Sequence, residues 1–173
     1  MLTTITNSEA FTRLMLITMI SALIGVEREY HHKPAGLRTN VMVGLGSTLM
    51  TIASVRVLEI SPVIQGIDPA RIAAQIVTGI GFIGAGAILR PSNGKGNVVG
   101  LTTAATLWVV AGLGIAVGMG FYFEAIVTTL FVFFTFLVLS KLVARVRVYT
   151  KSHPPKYEHD EDSPDHDHET AER

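Results

Sequence analysis

Five long apolar runs constrain the fold of this 173-residue chain more than any other feature. A helix needs about 20 mostly apolar residues to cross the roughly 30 Å hydrocarbon core of a bilayer, and about 17 to 25 are usable. The runs cover 11–26, 39–55, 72–89, 98–119 and 121–139. They predict an all-α integral membrane protein, a bundle of five transmembrane helices.

The composition supports a membrane protein. Charged residues make up 16% of the chain, compared with about 25% in soluble domains. The chain contains no cysteine, which excludes a disulfide framework, a thiolate metal site and a cysteine nucleophile.

The net charge of zero hides an uneven distribution. Residues 1–157 carry 13 Lys or Arg and 6 Asp or Glu, whereas 158–173 carry 1 and 8. The cations lie between apolar runs and form no continuous stripe with aromatic residues, which argues against nucleic-acid binding. They are typical of membrane-flanking positions.

Lys and Arg counts in alternating loops predict the orientation, because cytoplasmic loops hold the excess. Eleven lie on one side and three, Arg13, Arg56 and Arg71, lie on the other. We therefore expect the N-terminus outside and the C-terminus in the cytoplasm. The first run lacks a basic n-region and a small-residue cleavage site, so we expect it to be retained as a helix.

Several local signals refine this arrangement. We expect Arg13 to snorkel outward from the first helix. Asp68 suits an N-cap and Pro69 the first position of the third helix. Gly120 leaves room for only a tight turn, so helices four and five should form an antiparallel hairpin.

Glycine is concentrated in the third and fourth runs. Residues 79–84 match the G-x-G-x-x-G pattern of dinucleotide-binding folds, but they lie inside an apolar run without the required strand. In lipid, small residues allow close helix packing, so we expect the third helix to pack on the fourth. The alternative is a break over 81–86 that exposes backbone to an ion. The expected packing residues are Gly79, Gly81, Gly84, Gly86, Gly114 and Gly118.

The segment from Glu27 to Thr39 is more polar than a simple connection requires, with His31 and His32 at its centre. One interpretation is a basic cytoplasmic anchor. The other is that Glu27 or Arg28 points into the bundle and pairs with Arg38. Elsewhere, Glu124 fits a headgroup-level carboxylate and a functional residue equally well.

Four blocks in the same order resemble the MgtC/SapB family of bacterial inner-membrane proteins. They are Gly25-Val-Glu-Arg-Glu29, Ala35-Gly-Leu-Arg-Thr-Asn40, the run 68–86 and the run 100–108. The resemblance implies five transmembrane helices, growth in low magnesium, and survival of pathogens inside host cells. It also implies an accessory or regulatory role on other membrane machinery, including the proton-translocating ATP synthase.

The family motif places importance on nine residues: Glu27, Arg28, Arg38, Asp68, Arg71, Gln75, Asn97, Thr102 and Thr103. Well-studied members carry a folded soluble domain after the fifth helix, whereas only 143–173 follow here. We therefore expect a transmembrane domain over 1–149 and a disordered, acidic, His-containing cytoplasmic tail over 150–173. Weak metal chelation by 165–169 is the less favoured interpretation of that tail.

Two functions follow. We favour a regulator without catalytic residues or cofactor, whose partners are the bilayer, other inner-membrane proteins and a second copy of the chain. The alternative is a Mg²⁺ or proton transporter with a site between helices 1, 2, 3 and 4. Magnesium sites normally use one or two carboxylates, and Glu27, Asp68 and Glu124 are all expected near the membrane faces. The metal ligands of such a site remain unassigned.

Overall fold

The computed structural model describes residues 5–60, 70–88 and 98–139. Five α-helices occupy these residues: α1 Asn7–Tyr30, α2 Leu37–Ile60, α3 Ala70–Gly86, α4 Leu101–Met119 and α5 Tyr122–Phe134. The predicted all-helical class is confirmed. The predictions for Asp68, Pro69, Asn97 and the tail over 150–173 lie outside the described residues.

The first helix begins four residues before the predicted apolar run. Thr6 is its N-cap, and the Thr6 hydroxyl accepts a hydrogen bond from the Glu9 N–H at 3.2 Å. Thr6 and Glu9 have the S/T-x-x-E spacing of a capping box, which extends the helix beyond its apolar part. At the other end, Glu27, Arg28 and Glu29 continue the helix to Tyr30.

The second helix is also longer than the predicted 39–55. It starts at Leu37, because the Leu37 N–H donates to Oε2 of Glu29 at 2.8 Å. It continues past Arg56, whose guanidinium donates to Asn7 Oδ1 at 3.0 Å and to the Ile5 carbonyl at 3.3 Å. Arg56 therefore holds the start of α1 beside the second helix.

Two glycines in left-handed conformation delimit α4. Gly100 has φ +98° and precedes Leu101, so the helix starts later than the predicted residue 98. A Cβ on Gly100 would lie 2.0 Å from the Ala87 carbonyl oxygen, so only glycine fits this close approach. Gly120 has φ +89°, and the Phe121 N–H donates to the Ala116 carbonyl in a Schellman-type ending. The predicted tight turn before α5 is present.

The remaining helices end earlier than predicted. The third helix ends at Gly86 rather than residue 89. The fifth ends at Phe134, where the chain divides into two compact units. The described part of the second unit is the π-helical segment Thr135–Leu139. Apolar composition alone does not distinguish α-helical from π-helical hydrogen bonding, so the run 121–139 gave no sign of this change.

The second helix packs against both α1 and α4. The Cβ position of Gly25 lies 2.6 Å from the Leu37 Cα, and that of Gly44 lies 3.1 Å from Ser21. Residue numbers rise on one helix as they fall on the other, so α1 and α2 are antiparallel. By the same argument α2 and α4 are parallel, because Gly114 lies against Ser47 and Gly118 lies against Thr51.

The distribution of polar and apolar side chains is the reverse of that in a soluble protein. Phe82, Phe123 and Met42 are 86%, 76% and 70% exposed, whereas Asn40 and Thr48 are fully buried. Among the described residues, three helices are long and apolar enough to span a bilayer: Asn7–Tyr30, Leu37–Val57 and Leu101–Met119. The third and fifth helices are also apolar but are shorter.

Candidate functional site

The predicted functional residues meet most densely where α1 turns into α2. Arg28 is 4% exposed and points into the bundle. Its Nη1 lies 3.8 Å from Oε2 of Glu27, a carboxylate that is itself mostly buried. The other Glu27 oxygen lies 3.1 Å from Nδ1 of His31, which also contacts the Glu27 carbonyl at 2.9 Å. Glu27 therefore joins a buried guanidinium to a half-exposed imidazole.

Glu29, the second acid of this segment, stabilises the start of α2. Oε2 of Glu29 accepts the Leu37 N–H and so caps α2 from the preceding helix. Gly36 makes this possible, because a Cβ there would lie 2.8 Å from the same oxygen. Gly25 has a similar role, since its Cβ would lie 2.6 Å from the Leu37 backbone. These glycines bring the two helix ends into direct contact.

Asn40 completes the turn and was not assigned a role from the sequence. It is fully buried, and its Nδ2 donates to the carbonyl oxygens of Ala35 at 3.0 Å and Gly36 at 2.7 Å. The side chain thus supplies a donor to the buried Ala35 carbonyl and a second donor to the Gly36 carbonyl, which also accepts the Asn40 backbone N–H. The signal was present in the sequence, because an amide sits four residues after Gly36 at the start of an apolar run.

Arg38 does not make the predicted contact. Its side chain is exposed, and none of the ion pairs within residues 5–60, 70–88 and 98–139 includes it. The reason is its position in the first turn of α2, on the face opposite the buried Asn40. Lys33, His31 and His32 are also exposed. In this segment Glu27 and Arg28 therefore turn inward, whereas Glu29, Lys33 and Arg38 are exposed.

The other motif residues are spread over two helices. Arg71 and Gln75 are exposed on α3. Thr102 is exposed at the start of α4, and its carbonyl accepts the Thr106 hydroxyl at 2.8 Å. Thr103 is 2% exposed. The structure thus brings Glu27, Arg28 and Arg38 to one loop and leaves Arg71 and Gln75 on a separate surface.

The six glycines that were expected to pack α3 on α4 do not all lie at that contact. Gly114 and Gly118 pack against α2, where Cβ atoms would lie 2.7 Å from Ser47 and 2.6 Å from Thr51. On α3, only Gly84 approaches α4, at 3.5 Å from Ala104. Nothing lies within 4 Å of the Cβ positions of Gly79, Gly81 and Gly86. The glycine spacing predicted helix faces with small side chains, but it did not predict which helix packs against each face. The alternative interpretation, a break over 81–86, is not seen, since α3 is helical to Gly86.

Arg13 lies at the opposite end of the bundle and does not snorkel outward. It is 6% exposed, and its Nε donates to the Tyr122 hydroxyl at 3.1 Å. Nη1 donates to the Gly118 carbonyl, and Nη2 pairs with Glu9 one turn earlier on α1. The expected orientation was wrong because the C-terminal carbonyls of α4 and the Glu9 carboxylate offer inward partners. Arg13 therefore ties α1 to the α4–α5 turn.

Comparison with known proteins assigns this architecture to a family. The MgtC family model matches residues 14–145. The chain belongs to the MgtC family. It is 41% identical over 142 residues to Protein SapB of Bacillus subtilis, covering 81% of this chain and 60% of that protein.

The chain is also similar to two further relatives. It is 48% identical over 120 residues to the Putative magnesium transporter YhiD of Escherichia coli K12, covering 67% of this chain and 54% of that protein. It is 41% identical over 133 residues to Protein MgtC of Salmonella typhimurium, covering 77% and 53%. The chain thus spans between half and two thirds of the length of these relatives. No solved structure matches it.

Proposed function

We propose that this chain crosses a bacterial inner membrane with all five helices, its N-terminus outside and its C-terminus in the cytoplasm. We further propose that it is a non-catalytic accessory or regulatory protein of magnesium limitation and stress, acting through other membrane proteins. The family, the three long apolar helices and the exposed apolar side chains support the membrane location.

The observation that carries the regulatory role is the division of polar groups between interior and surface. Inside the bundle, the hydroxyls of Ser21 and Thr51 donate to backbone carbonyls of their own helices. The Thr48 hydroxyl donates across to the Gly114 carbonyl at 2.9 Å. The Thr48 bond joins α2 to α4, and the other two hydroxyls are satisfied within their own helices. The exposed polar groups of the inner loop, by contrast, are available to a partner protein.

The relative named as a putative magnesium transporter favours a second candidate, in which this chain moves Mg²⁺ or protons through a site between α1, α2, α3 and α4. That site would need carboxylates within the bundle. Glu27 is the buried carboxylate nearest to such a place, and its two oxygens face His31 and Arg28.

Two measurements separate these candidates. In a bacterial strain lacking its own MgtC-family gene, the chain should restore growth in low magnesium. In proteoliposomes it should give no magnesium uptake above that of empty vesicles. Magnesium uptake that is abolished by Glu27→Gln would contradict the regulatory role and support transport.

A partner search should start from Lys33, because Arg28 is buried and cannot present a crosslinker. A photoreactive residue at Lys33 should capture an inner-membrane protein, such as an ATP synthase subunit, in cells starved of magnesium. Ser8, exposed at the opposite end, is the matched control position. Capture of the same proteins from both positions, or of none from Lys33, would contradict the proposal.

A further inference from the structure

A groove of about 450 Å³ lies between α2 and α3. Its size is within the range of roughly 300 to 1,000 Å³ for small-molecule sites, which are mostly apolar with a few polar groups. Gly46 and Gly79 widen it, since nothing lies within 4 Å of either Cβ position. The other walls are Met42, Val43, Ser47, Met50, Ile72, Gln75, Ile76, Ile80 and Ile83.

The groove has the depth of one bilayer leaflet. Arg38 lies one helical turn before Met42, and Met50 lies two turns beyond Met42 on the same wall. On α3, the 11 residues from Ile72 to Ile83 cover about 16 Å at about 1.5 Å per residue. Half of a roughly 30 Å hydrocarbon core is about 15 Å. Arg38 therefore lies one turn beyond one end of a mostly apolar groove that is about one acyl chain deep, and Arg71 lies next to Ile72 at the other end.

The loop at that end carries a net positive charge, because Arg28, Lys33 and Arg38 outnumber Glu27 and Glu29. Glu29 accepts the Leu37 N–H, and Glu27 faces Arg28 and His31. Arg38 and Lys33 remain exposed. Exposed cations at the membrane surface attract anionic lipid headgroups.

We propose that the α2–α3 groove binds one acyl chain of an anionic phospholipid whose phosphate lies against Arg38. This inference rests on the proposed membrane-spanning arrangement. It gives a role to Arg38, which forms no ion pair with Glu27. A guanidinium matches a phosphate in charge and hydrogen-bonding geometry. The charge of Arg38 at the loop end and the mostly apolar walls together favour a lipid over a wholly apolar protein helix.

Native mass spectrometry of the detergent-purified full chain tests the proposal. The probes are phosphatidylglycerol and phosphatidylcholine with identical acyl chains, added in equal amounts. We expect one phosphatidylglycerol to be retained in preference to phosphatidylcholine. Arg38→Gln should weaken that retention about five-fold, the effect of one cation near a membrane surface. Arg71→Gln, beside Ile72 at the other end of the groove, should leave it unchanged.

Substitutions that fill the groove with a larger side chain provide an independent test. Gly79→Leu and Gly46→Leu should each abolish retention without lowering thermal stability, because both Cβ positions are open. Gly112→Leu is the matched control, since its Cβ position is equally open and lies outside the groove. Equal retention of both lipids, or loss in Gly112→Leu as in Gly79→Leu, would overturn the proposal. A dimer that disappears in Gly79→Leu would assign the groove to a second copy instead.

Failure of the lipid-binding proposal can be distinguished from failure of the proposed function. Loss of lipid selectivity would leave growth complementation and crosslinking from Lys33 as they are. Failure of complementation with one phosphatidylglycerol still bound would overturn the regulatory role alone.

Discussion

Gly114→Ala tests the contact that holds α4 against α2. A Cβ at residue 114 would lie 2.7 Å from the Ser47 Cβ and 2.8 Å from the Gly44 carbonyl oxygen. Ordinary Cβ contacts begin at 3.4 Å, so the first contact is 0.7 Å too short. Two of the nearest atoms belong to backbone and cannot rotate away. The helices must therefore separate.

The expected cost follows from this geometry. Overpacking a well-packed interior costs about 1 to 3 kcal/mol. Separation of the helices also lengthens the bond from the Thr48 hydroxyl to the Gly114 carbonyl, now 2.9 Å, and such interhelical bonds contribute about 0.6 kcal/mol. Alanine has a better helix propensity than glycine by up to about 1 kcal/mol. We expect a net loss of about 0.6 to 2.6 kcal/mol in the free energy of unfolding.

Gly112→Ala is the matched control, because it lies on the same helix and nothing is within 4 Å of its Cβ position. It should be neutral or stabilising by up to about 1 kcal/mol. Reversible unfolding in mixed micelles of mild detergent and dodecyl sulfate measures both variants. If Gly114→Ala and Gly112→Ala unfold at the same denaturant fraction, the assignment of Gly114 to the α2–α4 contact is refuted.

The same unfolding assay checks three further contacts. Arg13→Gln should lower the free energy of unfolding by about 2 kcal/mol, because charge-assisted bonds are lost; a loss no greater than that of Glu9→Gln would contradict the buried clamp. Glu29→Ala should cost about 1 kcal/mol through loss of the Leu37 cap, and Glu29→Gln, which keeps an acceptor, should recover most of it. Asn40→Ala should cost about 1 to 3 kcal/mol by leaving the buried Ala35 carbonyl without the Asn40 amide donor, and a neutral result would refute its role in the turn.

Sequence reasoning found the helices because hydropathy over a long run reports burial in lipid directly. It underestimated α1 and α2 because polar residues extend them. Thr6 caps α1 with a hydroxyl, and Glu29 caps α2 from another helix. The first signal is local and was readable as a capping box. The second requires knowledge that residues 29 and 37 meet in space.

The candidate site was predictable in composition but not in arrangement. The dense charge around Glu27 and Arg28 marked the loop, yet the outward position of Arg38 depends on the rotation of α2 about its own axis. The inward position of Arg13 likewise depends on Gly118 and Tyr122, which lie more than 100 residues away in the chain. Hydropathy reports neither the rotation of a helix nor its neighbours.

The central claim is that the helices span the membrane with the loop after α1 inside the cell. Because the chain contains no cysteine, single substitutions Ser8→Cys and Lys33→Cys can be labelled in whole cells with a membrane-impermeant maleimide. The account predicts that Ser8→Cys is labelled in intact cells and that Lys33→Cys is labelled only after permeabilisation. Labelling of Lys33→Cys in intact cells, or recovery of the chain in the soluble fraction without detergent, would contradict it.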